Sequence, residues 1–198
     1  MAGDYFNLVD TLIKKGKKVF VDLKFFDIPK TVGSAVRQLT DKGVSCATVH
    51  GNDNILEAAV GEKGDSLKIL AVTVLTSLNR GDLDDLGFDC DVDKLVLSRA
   101  KRALHLGCDG VISSGREAKP LRESLGNKLL VITPGIRPVD NDETNFPDDQ
   151  KRSVTVENAF LNGADYIVVG RPIKNANDPY QAAQDIQKTI SSIFSAPQ

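Results

Sequence analysis

The chain has 198 residues, 41% hydrophobic and 26% charged, with no tryptophan, a formal net charge of −2 and a pI near 5.7. That length allows one large domain or two small ones. The charge balance gives no general attraction to nucleic acid or to an anionic membrane, so anion binding has to come from a local site. No apolar run approaches the ~18 residues of a membrane span, and the start Met1-Ala2-Gly3-Asp4 shows no secretory leader, so a cytoplasmic location is expected.

In chain order, Asp4 to Lys15 places Phe6, Val9, Leu12 and Ile13 at helical spacing, with Gly16 as the stop. An apolar strand follows, Val19-Phe20-Val21-Asp22-Leu23-Lys24-Phe25, ending at Phe26-Asp27-Ile28-Pro29. Thr31 to Lys42 reads as a helix, Cys46 to Gly51 as a strand, Asp53 to Val60 as a helix and Lys68 to Ser77 as a strong strand. A polar connection with Gly81 and Gly87 leads to a helix at about Val92 to Leu106. Strand Gly110 to Ser114, helix Arg116 to Leu125 and strand Leu129 to Thr133 come next. A long polar loop runs from Arg137 to Ser153. Thr155 reads as the N-cap of a short helix that Gly163 ends. Strand Tyr166 to Gly170 and a helix at about Pro179 to Phe194 close the chain.

An internal echo supports this order. Gly107-Cys108-Asp109-Gly110-Val111-Ile112 matches Gly163-Ala164-Asp165-Tyr166-Ile167-Val168, and Gly43-Val44-Ser45-Cys46 is a looser copy. Each puts a helix-ending glycine just before a buried strand. Repeated βα units with short returns predict an α/β fold with a parallel sheet. Six βα units and one leading helix are visible. The fold is then either an open six-stranded sheet or a (β/α)8 barrel whose first two strands precede residue 1. Polar residues follow the strands, which is the functional face of both architectures.

The central cluster is Asp22, Lys24 and Asp27. Alternation along a strand puts Asp22 and Lys24 on one face, whereas Asp27 lies past the strand. A lysine between carboxylates stays protonated, because opposite charges at ~4 Å attract by about 4 kcal/mol near a surface. Such a lysine is a positioned acid suited to protonating a carbanion. A strand-end ion pair with a helix-capping Asp is the plainer alternative. Gly170-Arg171-Pro172 ends the last strand and suits a phosphate monoester, with a surface arginine at a turn as the alternative. Thr133-Pro134-Gly135-Ile136-Arg137-Pro138 repeats that design, and its loop is a lid or a disordered insert. Gln150, Lys151 and Arg152, at the far end of the loop, are placed to fold onto a phosphate. Thr76 and Ser77 offer hydroxyls and an amide for a heterocycle's carbonyl or imide, although Thr-Ser is also ordinary turn chemistry. His50 is a candidate pocket residue and His105 a surface one. Cys46, Cys90 and Cys108 read as small thiols in a reducing compartment. No metal-binding spacing emerges.

Together these motifs resemble orotidine 5′-phosphate decarboxylase of the bacterial type. The resemblance rests on Asp22-Leu23-Lys24-Phe25-Phe26-Asp27-Ile28-Pro29-Lys30-Thr31 and on Val72-Thr73-Val74-Leu75-Thr76-Ser77. Thr133 to Pro138, Asp149-Gln150-Lys151-Arg152 and Val169-Gly170-Arg171-Pro172 complete it. It implies a single (β/α)8 barrel domain over residues 1–198, N-terminally incomplete relative to the family, that makes UMP without metal or cofactor as a homodimer. By that resemblance Lys24 protonates the C6 carbanion, Asp22 lies against the substrate carboxylate, and Asp27 reaches the partner's site with Ile28 and Thr31 near it. Thr76 and Ser77 contact the pyrimidine; Gln150, Gly170 and Arg171 grip the phosphate; Arg137 belongs to the closing loop. The family's first strand, with an Asp for the ribose, and its second, with a further Lys, have no counterpart in this sequence. Two alternatives stand beside it: a Mg2+-dependent keto-sugar-phosphate decarboxylase or hexulose-phosphate synthase of the same superfamily, and an inactive phosphate-binding dimer.

Overall fold

The computed structural model describes residues 4–137 and 152–195. Its elements are α1 (Tyr5–Lys14), β1 (Phe20–Phe25), α2 (Pro29–Asp41), β2 (Cys46–His50), α3 (Asp53–Glu62), β3 (Lys68–Val72), α4 (Arg80–Asp85) and α5 (Val92–His105). There follow β4 (Gly110–Ile112), α6 (Ala118–Leu125), β5 (Leu130–Thr133), β6 (Ile136–Arg137), β7 (Val154–Thr155), α7 (Val156–Leu161), β8 (Tyr166–Ile167), α8 (Arg171–Lys174) and α9 (Pro179–Ser195). The residues group into two compact units: the chain through Thr73 with Ser98–Val111, and Val74–Leu97 with the chain from Ile112 onward.

In the first unit β1, β2 and β3 are parallel neighbours, with Phe20 opposite Cys46 and Cys46 opposite Lys68. Val21, Ala47, Val49, Ile69 and Ala71 are buried, as are Val32, Val36 and Leu39 on α2 and Leu56 and Ala59 on α3. Strands covered on both faces read as continuous apolar runs, which β3 does from Ile69 to Val72. In the second unit β5 and β8 are parallel, pairing Ile132 with Tyr166 and Thr133 with Ile167. The short β6 and β7 pair separately. Ile136, Val156, Ala159, Ala164 and Ile186 form its core, with Phe160, Val169 and Ile190 against them.

The repeated glycine pattern has one structural meaning. After α2, α5 and α7 the glycine adopts positive φ (Gly43 +76°, Gly107 +83°, Gly163 +98°). The next amide then reaches back five residues: Val44 N to Leu39 O, Cys108 N to Ala103 O, Ala164 N to Ala159 O, at 3.0–3.1 Å. This is a Schellman ending, and a side chain at these φ values would be strained. The following residue donates its N–H to the preceding strand: Ser45 to Val19 O, Asp109 to Ile69 O, Asp165 to Val131 O.

In the two closer copies the carboxylate adds a clasp. Asp109 Oδ2 accepts from Ile69 N at 2.9 Å and from Lys63 Nζ at 2.6 Å, and that ammonium also reaches Gly107 O. Asp165 Oδ2 accepts from Val131 N at 2.7 Å and from Arg122, whose Nε donates to Gly163 O. The looser copy has Ser45 here and keeps only the backbone bonds. Removing either carboxylate leaves a strand-start amide without its acceptor and a cation without its counter-ion, so Asp109→Ala and Asp165→Ala are each expected to cost about 1.5–3 kcal/mol. Ser45→Ala should cost clearly less in urea unfolding of the same protein.

Some boundaries differ from the sequence reading. The predicted polar connection after Ser77 contains α4, started by a reciprocal cap between Asn79 and Asp82. The strand predicted to reach Ser77 stops at Val72, and that predicted to reach Gly170 stops at Ile167. The predicted N-cap at Thr155 is present, its hydroxyl accepting from Asn158 N at 3.1 Å. Most of the predicted loop from Arg137 to Ser153 lies outside the described residues.

Candidate active site

In the first unit β1 delivers Asp22 and Lys24 as an ion pair, Nζ to Oδ2 at 2.7 Å, each side chain about two-fifths exposed. Side-chain alternation along a strand accounts for the contact but not for the backbone that makes it. Lys24 has φ +49°, the one positive value among described non-glycine residues. The β1–β2 register shifts there too, from Val21 opposite Ala47 to Phe25 opposite Val49. Four steps along β1 thus span two along β2, a bulge that re-aims side chains at a strand end. A left-handed residue with a side chain costs about 1–2 kcal/mol and persists only where surroundings hold it.

Thr48 supplies that hold. It is fully buried in β2; its Oγ1 accepts from Lys24 N at 2.9 Å and donates to Asp22 Oδ1 at 2.9 Å. One hydroxyl therefore fixes the lysine's backbone and the carboxylate's orientation together. The sequence reading missed Thr48, since a threonine in an apolar β-branched run gives no local signal of function.

Asp27 does not join this pair through any hydrogen bond described. Its Oδ1 accepts from Ile28 N at 2.6 Å, and the side chain is exposed just before α2. Ile28 and Thr31 are exposed beside it, and Phe26 and Ile28 are about two-thirds accessible. Phe26 packs its ring 5.0 Å from that of His50. Burial, then the positive field of Arg99, lowers the His50 pKa. Between that value and the ordinary ~6.5 the unfolded chain binds a proton that the folded chain does not, so acid favours unfolding. Stability should fall as pH drops below about 6.5, and His50→Gln should flatten that part of the curve in chemical denaturation.

In the second unit Thr76 and Ser77 are the corner residues of a turn closed by Leu78 N to Leu75 O at 2.9 Å. Thr76 is buried and Ser77 half-buried. Gly170 caps the four-residue α8, whose first residue is Arg171, and a Cβ added at Gly170 would meet nothing within 4 Å. Arg137 is half-buried and donates to Ile136 O. Gln150 and Lys151 lie outside the described residues.

Arg152 departs from the expectation of a phosphate contact. It is buried at 8% exposure, paired with Glu117, and it donates to Leu75 O at 2.8 Å and to Val74 O at 3.4 Å. Glu117, at 3%, also accepts from Ser114 N at 2.6 Å. Those three protein partners are met by Nη1 and Nη2, while Nε is buried without a hydrogen-bond partner among the described residues. Among the described residues no group of three or more His, Cys, Asp or Glu side chains is placed to hold a metal ion, and no helix is long and apolar enough to cross a membrane.

A family model for orotidine 5′-phosphate decarboxylase and its HUMPS relatives matches residues 2–186. The chain belongs to that family. It is 64% identical to orotidine 5′-phosphate decarboxylase of Methylococcus capsulatus, over 99% of this chain and 79% of that protein. It is 46% identical to the enzyme of Stenotrophomonas maltophilia, over 98% and 80%. The crystal structure of orotidine 5′-phosphate decarboxylase from Lactobacillus acidophilus superposes with a TM-score of 0.80 at 35% identity, covering 96% of this chain and 81% of that one. The fold class expected from the motifs stands: α/β, with six βα units of the decarboxylase (β/α)8 barrel and a leading helix among the described residues.

Proposed function

We infer that this chain is a carboxy-lyase that converts orotidine 5′-phosphate to UMP in pyrimidine biosynthesis. The reading is supported by its membership of the decarboxylase family and by relatives that carry that name along almost its whole length. The observation that carries it is the Lys24 ammonium, held against Asp22 at the end of β1 by a strained backbone and a buried threonine.

In the mechanism that fits these groups, the bond between C6 and the carboxylate breaks, CO2 leaves, and the electron pair stays on C6. Lys24 Nζ gives its proton to that carbon and recovers one from solvent. Asp22, beside the departing carboxylate, repels it in the ground state more than in the transition state, and only such differential interactions accelerate chemistry. Thr76 and Ser77 take the pyrimidine, and Gln150, Gly170 and Arg171 the phosphate, with Arg137 on the closing loop. Binding energy from the phosphate, remote from the reacting carbon, is then available for closure and desolvation. No metal or cofactor takes part.

Asp27, Ile28 and Thr31 belong to a homodimer in which they complete the partner's site. The exposed Phe26 and Ile28 beside them support a covered surface. A single barrel domain acting in the cytoplasm completes the reading. The test is the loss of orotidine 5′-phosphate absorbance with the purified protein, with and without EDTA. Turnover that survives EDTA is expected. Turnover that EDTA abolishes would overturn the metal-free mechanism, and absence of turnover would move the assignment to the Mg2+-dependent sugar-phosphate enzymes of the superfamily or to a phosphate-binding dimer.

A further inference from the structure

The segment that follows β3 is gripped by side chains distant in sequence: Arg99 donates to Thr73 O, and Arg152 reaches the two carbonyls beyond it. After Val72 the strand has ended, so the carbonyls of Val74 and Leu75 no longer have ladder partners by default. Buried carbonyls in that position need a donor from elsewhere. Arg152 provides it, with Nη2 at 2.8 Å from Leu75 O and 3.4 Å from Val74 O. Leu75 O is also the acceptor that closes the turn around Thr76 and Ser77, taking Leu78 N at 2.9 Å. The guanidinium therefore grips the atom that defines where the turn begins. Its own position is set by Glu117, which is anchored in turn on Ser114 N at 2.6 Å. Both charged side chains are at least nine-tenths buried, so the pair exchanges little with water and its geometry is stiff. An arginine suits this work because its planar fork can address a carboxylate and main-chain carbonyls at once, which a lysine point charge does poorly.

We propose that Arg152, held by Glu117, is a positioning residue that sets the Thr76–Ser77 turn for recognition of the pyrimidine ring. It does not touch the substrate; it fixes the hydroxyls and amides that do. The inference rests on the reading of Thr76 and Ser77 as pyrimidine contacts, and the experiment separates the two.

The measurement is calorimetric binding of UMP, which carries the ring, and of ribose 5-phosphate, which lacks it, to the purified protein. Arg152→Lys keeps the buried positive charge beside Glu117 but loses the fork. It is expected to weaken UMP by about tenfold, the worth of a good hydrogen bond, and to leave ribose 5-phosphate within about twofold. In turnover the same variant should raise KM more than it lowers kcat. The charge-free pair Glu117→Leu/Arg152→Met removes both ions together, a change buried ion pairs tolerate, and should show the same ring-selective loss even if Arg152→Lys does not fold. Equal weakening of both ligands, or of neither, in the folded variants would overturn the proposal. Thr76→Val/Ser77→Ala is the companion. If it leaves UMP binding intact, the pyrimidine-contact reading falls. If it weakens UMP while the Arg152 variants bind normally, only the positioning role falls.

Discussion

Replacing Lys24 by Ala is expected to lower kcat for orotidine 5′-phosphate by about 10²- to 10⁴-fold, the usual worth of a positioned proton donor. Folding should hardly change. The Lys24 ammonium makes an ion pair that is about two-fifths exposed, and such pairs contribute about 0.2–1 kcal/mol. The backbone penalty at φ +49° is common to Lys and Ala, so it cancels in the comparison. The variant thus separates chemistry from stability: thermal unfolding close to the parent's, turnover nearly absent. Full activity in Lys24→Ala would refute the proton-donor role. Thr48→Val offers a second reading of the same site. It keeps the buried volume but removes the hydroxyl that ties Lys24 N to Asp22, so activity should drop by less than in Lys24→Ala.

The largest effect on stability is expected at the other charge pair. Glu117→Ala leaves the Arg152 guanidinium buried without its counter-ion and strips Ser114 N of its acceptor. Breaking a buried pair from one side costs about 3–5 kcal/mol. For a chain of this size that corresponds to about 6–20 °C in Tm. Replacing both members by apolar residues of similar size, Glu117→Leu/Arg152→Met, should recover most of the loss, because no uncompensated ion remains. Differential scanning calorimetry of the single and double variants decides it: a double variant no more stable than Glu117→Ala would mean that packing, not charge, dominates there.

What was legible in the sequence follows the range of the interactions. The βα order, the helix-ending glycines and the Thr155 cap are local, set by a few neighbouring residues, and the motifs placed them well. The Gly-x-Asp echo was visible as a pattern, but its purpose needed coordinates. Asp109 and Asp165 work on strands 40 and 34 residues away. Arg152 reaches Leu75 across 77 residues, and Thr48 reaches Asp22 across 26. Nothing in the composition around Glu117, Arg152 or Thr48 announces those partners. The β3 ending was misjudged for a related reason: Val72-Thr73-Val74-Leu75 has the β-branched character of a strand, yet the carbonyls of Val74 and Leu75 are taken by a side chain rather than by a neighbouring strand. The bulge at Lys24 was hidden because lysine carries no sign of a left-handed backbone.

That bulge has a bearing on how this protein can be altered. Glycine at position 24 would adopt φ +49° without steric cost, so a Lys24→Gly chain stands to fold at least as well as the parent while having no proton to give. A screen that rewards heat tolerance or soluble yield alone would then favour discarding the residue proposed to give the proton. Libraries of this chain selected for robustness should drift toward silence unless growth on its product is demanded at every round.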